Sequence, residues 1–300
     1  MRKRTLILPL LALIALLASL GGAQTAGLDW VRLNPRFAGA DFVRDPESCR
    51  PCHEEAMAPY EHTIHARLHA FDRRGDGVGD CEACHGPRSR HVEDPDDSLA
   101  FTPAQYTMAC QQCHQGGGRI HWHSSLHDAH GLECVSCHTV MEQRSPAALL
   151  SHRTESALCA GCHADVAAQM RRQSRHPVLE GKLACSSCHN PHGASGEGML
   201  IAGTVNETCY SCHQEKRGPV LWEHPPVRED CQSCHQPHGS SNRFLLTTLS
   251  STLCVSCHQY GGHINQYRYN RVSTPYGNGC ANCHVTLHGS NHPSGAKFNR

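Results

Sequence analysis

The chain is short of the residues from which a protein of 300 residues ordinarily builds its interior. It has six Phe, seven Tyr and three Trp, and its mean hydropathy is −0.47. A domain of this length would bury many aliphatic and aromatic side chains, so apolar mass must come from something else. Net charge is lacking too, with 27 Lys and Arg against 27 Asp and Glu. That excludes the basic surface nucleic acid requires, and no nucleic-acid partner is expected. Long hydrophobic runs are absent except at the start. There, Arg2, Lys3 and Arg4 precede an apolar run from Leu6 to Leu17, followed by Gly21-Gly22-Ala23. Residues 1–23 read as a cleaved signal peptide, too short and wrongly flanked for a spanning helix. The first cysteine is Cys49, so no lipid-acceptor cysteine stands beside the cleavage site. Without its three basic leader residues the formal charge falls from zero to −3. The expected product is a soluble protein in an exported compartment, with residues 24–48 as an N-terminal segment.

Cysteine and histidine are what the chain has in excess, 20 and 26 residues. Every cysteine falls in a Cys-x-x-Cys-His motif. The first five are Cys49/Cys52/His53, Cys81/Cys84/His85, Cys110/Cys113/His114, Cys134/Cys137/His138 and Cys159/Cys162/His163. The other five are Cys185/Cys188/His189, Cys209/Cys212/His213, Cys231/Cys234/His235, Cys254/Cys257/His258 and Cys280/Cys283/His284. This is the c-type haem attachment signature: two thiols bond the porphyrin, and the adjacent histidine ligates iron from the proximal side. Zinc sites use paired cysteines without a histidine directly after each pair. Thioredoxin-like chemistry needs one such pair, and a disulfide framework gives no reason for ten identical spacings. Ten covalent c-type haems are therefore expected, and they supply the missing apolar mass. Motif starts lie from 22 residues apart (Cys209 to Cys231) to 32 apart (Cys49 to Cys81), too close for a separate domain around each haem.

The motifs alternate in kind. Before the odd ones stand Thr107, Ser156, Asn206 and Ser251, with Asp45-Pro46 before the first, and these predict helix N-caps. The odd motifs are then expected in the first turns of short helices. One of these, near Ser156 to Ser174, is Ala-rich and stops before Pro177. The even motifs have Val78, Gly131, Lys182, Arg228 and Gly277 at that position and are instead bracketed by candidate sixth ligands. Upstream are His65, His127, His176, His224 and His263; downstream are His91, Met141, His192, His238 and His288. Ten bracketing positions match ten irons. Five two-haem repeats result, at 49–91, 110–141, 159–192, 209–238 and 254–288, within a deca-haem domain of residues 49–300. Which distal residue serves which iron is not legible, and His62, His69, His121, His123, His130, His152 and His292 are read as solvated or structural.

The stretches CEACHGPRSRH, SRHPV, CSSCHNPHG, NETCYSCHQEKRGPVLWEH, CQSCHQPHG and LHGSNHPSG resemble the periplasmic deca-haem cytochromes of the MtrA/DmsE family. The resemblance covers the whole mature chain. It implies a multihaem cytochrome c fold: an elongated haem wire of loops and short helices, with little or no β-sheet. It also implies bis-histidine ligation, insertion into an outer-membrane β-barrel porin, and electron passage between periplasm and exterior. Implied partners are that porin, an outer-surface multihaem cytochrome or terminal reductase, and a periplasmic or inner-membrane cytochrome. The family's distal positions match His65, His91, His127, His176, His192, His224, His238, His263 and His288.

Met141 departs from that pattern, because its slot, three residues past His138, is filled by His192 and His238 in sister repeats. Its thioether reaching the same iron is one reading; a substitute from His152, His123 or His130, an open iron, and a packing role are the others. For the protein as a whole, an electron conduit, not an enzyme, is the leading expectation. A multihaem reductase with one open haem iron is the alternative. A sensor is disfavoured because no signalling domain is present.

Overall fold

The computed structural model describes residues 28–43, 45–69, 81–95, 99–258, 280–293 and 295. The expected signal peptide and His263 lie outside the described residues. Among the described residues there is no strand. Helices are short, the longest running 11 residues from Arg50 to Tyr60, with a kink at His53. No helix of the described residues is long and apolar enough to cross a membrane.

Two compact bodies divide the chain. The first comprises Met1–Glu54 and Leu68–His114, the second Glu55–Arg67 and Gln115–Arg300. The first contains an aromatic cluster in which Leu33, Phe37 and Phe101 are buried and Trp30 and Tyr106 pack against them. Phe37 meets Trp30 and Phe101 edge-on, at ring separations of 6.1 and 5.8 Å. Arg88 lays its guanidinium over Phe37 and Phe101 and donates to the Leu99 carbonyl. Buried Glu82 ties the N-terminal segment to the second motif by accepting from the backbone N–H of Val43 and of Arg88.

In the second body few large apolar residues are buried, Met57, Trp122 and Leu149 among them. Phe244 and Ile120 are 73% and 71% exposed. A chain that leaves such side chains uncovered has apolar surface to offer a flat cofactor.

The helix starts differ from expectation. The capping hydroxyls are Thr102, Thr154 and Thr204, which accept from Gln105, Ala157 and Glu207 backbone N–H groups. The helices they open are Pro103–Gln111, Glu155–Ala160 and Val205–Tyr210. Cys110, Cys159 and Cys209 therefore sit in the last turn, not the first. Thr107 and Asn206 are buried inside their helices. Asn206 is instead a clamp: its side chain donates to the Val227 and Arg228 carbonyls and accepts from the Cys231 N–H. The segment expected as one helix from Ser156 to Ser174 is two, Glu155–Ala160 and Ala164–Gln169, interrupted at the haem motif. Asp45 does cap its turn, accepting from the Glu47 N–H.

A second module recurs after even motifs. The chain turns back through two residues with positive φ: Ala148-Leu149, Gly198-Met199 and Phe244-Leu245. It then forms isolated antiparallel bridges His138↔Leu150, His189↔Leu200 and His235↔Leu246. Successive repeats are joined by bridges Ser174↔Ser240 and Trp222↔Ser290.

Candidate functional site

All ten Cys-x-x-Cys-His motifs adopt one turn. In each, the backbone N–H of the histidine donates to the carbonyl of the first cysteine, at 2.9 to 3.0 Å. That bond closes one helical turn, so both thiols and the imidazole are brought around a common point, as covalent haem attachment requires.

The two thiols of a motif differ in accessibility, which their shared spacing does not reveal. Every first cysteine, from Cys49 to Cys280, is half-buried. Among second cysteines, Cys84, Cys137 and Cys234 are half-buried, whereas Cys52, Cys113, Cys162, Cys188, Cys212, Cys257 and Cys283 are exposed. Cys52 and Cys113 show the difference. Those two thiols stand on the solvent side of their turns, while their partners Cys49 and Cys110 are half-covered by protein. The turn alone does not separate them, since residues three apart share a face; the difference comes from which part of that face the rest of the chain covers. Cysteine is among the most buried residue types, so exposed thiols at fixed spacing suit side chains that reach outward to bond a macrocycle.

Motif histidines and bracketing histidines then face each other across a gap. The pairs among the described residues are His53–His91, His127–His163, His138–His192 and His176–His213. His189–His238, His224–His258 and His235–His288 face each other likewise. Ring centres are 6.0 to 6.3 Å apart in every pair. Two imidazoles bonding one metal from opposite sides have centres about 6.2 Å apart, given a bond of about 2 Å and about 1.1 Å from nitrogen to ring centre. The residues therefore fit an iron held by two imidazoles, with thiols at hand to fix its macrocycle.

The pairing has a register. His127, His176 and His224 face the odd motif of the following repeat. His192, His238 and His288 face the even motif of the preceding one. His91 faces His53 inside the first repeat. His138 thus has His192 opposite it, which corrects the reading that Met141 reaches the same iron as the motif it follows. His85 differs from these: its ring neighbour among the described residues is Tyr106, edge-on at 6.0 Å and 90°. His65 lies in helix Ile64–His69, and His114 and His284 complete their own motif turns.

Backbone carbonyls orient the rings. Nδ1 of His138, His189 and His235 bonds the Ala148, Gly198 and Phe244 carbonyls, the first positive-φ residue of each returning loop. Nδ1 of His127, His176 and His224 bonds the Pro191, Pro237 and Leu287 carbonyls. With Nδ1 donating, Nε2 carries the lone pair that faces the gap. Each of those last carbonyls belongs to the residue before His192, His238 or His288, so one segment orients two facing imidazoles. Burial keeps His192, His238 and His288 neutral by lowering their pKa; the facing His138 and His189 add to it for the first two, and Lys216 and then His235 for the third. Burial, then Arg88 and His53, lower His85 to about 4. Among the unassigned histidines, His130 Nδ1 bonds the Leu126 carbonyl and His152 Nδ1 the Ser151 hydroxyl.

Thiols of consecutive motifs also meet. Inside repeats, first cysteines approach each other: Cys49 and Cys81, Cys159 and Cys185, Cys209 and Cys231, Cys254 and Cys280. Their shared hydrogen bond lowers Cys185 to about 7 and raises Cys159. Between repeats, Cys137 senses Cys162, Cys188 senses Cys209 and Cys212, and Cys234 senses Cys257. Glu155, Cys159 and Cys185 group their donor atoms within 4.8 Å. Both sulfurs are first thiols of attachment motifs, and the carboxylate is already taken by the Ser186 N–H and hydroxyl at 2.5 and 2.8 Å.

These turns, facing imidazoles and neighbouring thiols define a multihaem c-type cytochrome that transfers electrons. The Doubled CXXCH motif family matches at residues 127–168, 176–218 and 224–262. Each match opens on an upstream imidazole and contains the odd motif it faces. The chain is 38% identical over 287 residues to Multiheme cytochrome MtrA of Shewanella baltica (strain OS185), covering 89% of this chain and 85% of the relative. It belongs to the MtrA family of multihaem cytochromes. A shorter likeness, 30% over 95 residues, links it to Cytochrome c-type protein NrfB of Escherichia coli O6:H1, covering 28% of this chain and 49% of that one.

Proposed function

We propose that the protein is a periplasmic conduit that carries electrons along ten covalent haems, through an outer-membrane porin, to or from a cytochrome or terminal reductase on the cell exterior. A periplasmic or inner-membrane cytochrome exchanges electrons at the other end. The observation that carries this reading is the series of facing imidazole pairs that link successive repeats, with ring centres 6.0 to 6.3 Å apart. The haem, when bound, would supply a one-electron couple. The chain's residues hold ligands on both sides and set neighbouring attachment edges close together. Burial lowers the pKa of His192, His238 and His288, and backbone carbonyls orient the rings of His127, His138, His176, His189, His224 and His235. Such an arrangement favours hopping over substrate chemistry at iron.

The test begins with a pyridine haemochrome assay, in which ten haems per chain are expected and eight or fewer refute the loading. The protein is then co-expressed with candidate barrel proteins and reconstituted in vesicles containing a redox dye. External reductant should bleach the dye only when barrel and cytochrome are both present. Release from membranes by salt alone, with no barrel co-purifying, defeats the conduit.

A further inference from the structure

We infer that Trp122 anchors the haem held by Cys134, Cys137 and His138, its indole N–H donating to a propionate carboxylate of that haem. The inference rests on the loading of the fourth motif and not on the passage of electrons through a porin.

Placement carries the first step. Trp122 opens the short turn Trp122–Ser124, closed by the Ser125 N–H donating to the Trp122 carbonyl at 2.9 Å. Three contacts fasten this part of the chain to the segment that carries His192. Asn190 Nδ2 donates to the Gly118 carbonyl at 2.7 Å, and His127 Nδ1 bonds the Pro191 carbonyl at 2.8 Å. Gly193, with φ +103, lies so close to the His121 carbonyl that an added Cβ would stand 2.5 Å from its oxygen. The indole is thereby set beside His192, with ring centres 6.3 Å apart and planes tilted by 56°. His192 in turn faces His138 at 6.0 Å, so Trp122 borders the distal side of the fourth motif.

The second step concerns the N–H. Trp122 is 9% exposed, and its Nε1 is buried with no hydrogen-bond partner among the described residues. A buried donor forfeits its hydration unless an acceptor replaces it, and native structures seldom leave one unpaired. Phenylalanine would fill the same apolar space without that cost. Indole at this position therefore calls for an acceptor that the neighbouring chain does not supply. The edge of a haem is apolar except for two propionate carboxylates, which when ionised only accept.

Charge is the third step. Burial, then His138, then Arg119 hold the His192 pKa down, so the positive charge of Arg119 reaches that ring. A carboxylate beside His192 would meet this guanidinium charge as well as the indole donor, and hydrogen bonds to ionised groups are the stronger kind.

The test uses the fully loaded, dithionite-reduced protein. Tryptophan is labelled with nitrogen-15, and the propionate carboxyl carbons with carbon-13 from 5-aminolevulinate labelled at its carboxyl. Of the three indole nitrogens, at Trp30, Trp122 and Trp222, one should couple to a propionate carbon in solid-state NMR. The expected separation is about 4 Å, the span of a hydrogen bond and a C–O bond. Trp122→Phe should keep ten haems and lose that coupling; coupling that survives belongs to another tryptophan and overturns the inference. No coupling in wild-type protein carrying ten haems also overturns it. Cys134→Ala with Cys137→Ala should carry nine haems and lose the acceptor, and coupling of Trp122 retained there overturns the choice of haem. Should Trp122→Phe fail to accumulate, the wild-type coupling and its loss in the double cysteine variant decide the matter. Free thiols at Cys134 and Cys137 in the wild type overturn the inference as well. The haem count separates that result from failure of the conduit, which none of these measurements involves.

Discussion

Replacing Gly239 by Ala tests whether the repeats interlock through their backbones. Gly239 has φ +150, and an added Cβ would overlap the Gln169 carbonyl of the preceding repeat. Backbone strain for a residue with a side chain costs about 1–3 kcal/mol. Relief requires the Pro237–Gly239 segment to move, and two iron ligands move with it. His238 faces His189, and the Pro237 carbonyl accepts from Nδ1 of His176, which faces His213. Loss of that hydrogen bond adds about 1 kcal/mol, so destabilisation of about 2–4 kcal/mol is expected. Gly131→Ala is the control: its φ is +74, yet an added Cβ meets nothing within 4 Å. Both variants carry the strain, but only Gly239→Ala carries the collision. Haem count, low-spin absorbance and unfolding midpoint are compared. Gly239→Ala should keep ten haems, lose low-spin character at two, and unfold earlier than the control. Identical behaviour of the two variants refutes the interlock.

Asn206→Ala removes two donations to Val227 and Arg228 and one acceptance from Cys231 in a buried position. About 2–4 kcal/mol should be lost, with faster hydrogen exchange at the Cys231 amide; unchanged exchange there refutes the clamp. Glu82→Ala frees the Val43 and Arg88 amides that it binds, so limited proteolysis should cut near residue 43 sooner than in wild type. Ring planes in the facing pairs cross at 52° and 50° for His127–His163 and His176–His213, and at 9° to 29° in the other five. Low-spin ferric signals of two classes are therefore expected in electron paramagnetic resonance, and a single class contradicts the angles.

The attachment motifs were legible from residues, because Cys-x-x-Cys-His is a local pattern and its turn closes on its own carbonyl. The unequal exposure of the thiols, as at Cys52 and Cys113, was not, since it depends on which side of each turn the rest of the chain covers. The distal positions were legible as positions: those lying in the facing pairs, from His91 to His288, were marked by their recurring place around even motifs. Partnership was not legible, since facing histidines such as His138 and His192 belong to different repeats and nothing local states the register. The helix caps were misplaced for a related reason. Asn206 and Thr107 look like caps by type, but Thr204 and Thr102 lie at the true helix starts, which frees Asn206 to clamp the next motif. The aromatic cluster around Phe37 escaped notice because it joins residues from Trp30 to Tyr106 with no periodic spacing.

The register makes a prediction that local reading reverses. His288 lies four residues beyond His284, and proximity in sequence suggests that it serves the tenth haem. Its ring instead faces His235 at 6.1 Å and 12°, in the eighth motif. His288→Ala should therefore open the iron held by Cys231 and Cys234, creating one carbon-monoxide-binding haem beyond those of the wild type. Deleting the tenth attachment site with Cys280→Ala and Cys283→Ala locates the effect. In that background His288→Ala should still create the additional adduct, because its iron remains bound to His235. If the adduct disappears with the tenth haem, His288 serves His284 and the register fails. A positive result carries a consequence for the later repeats. The third, fourth and fifth repeats then each complete an iron in the one before, so the second, third and fourth repeats are not finished without the next.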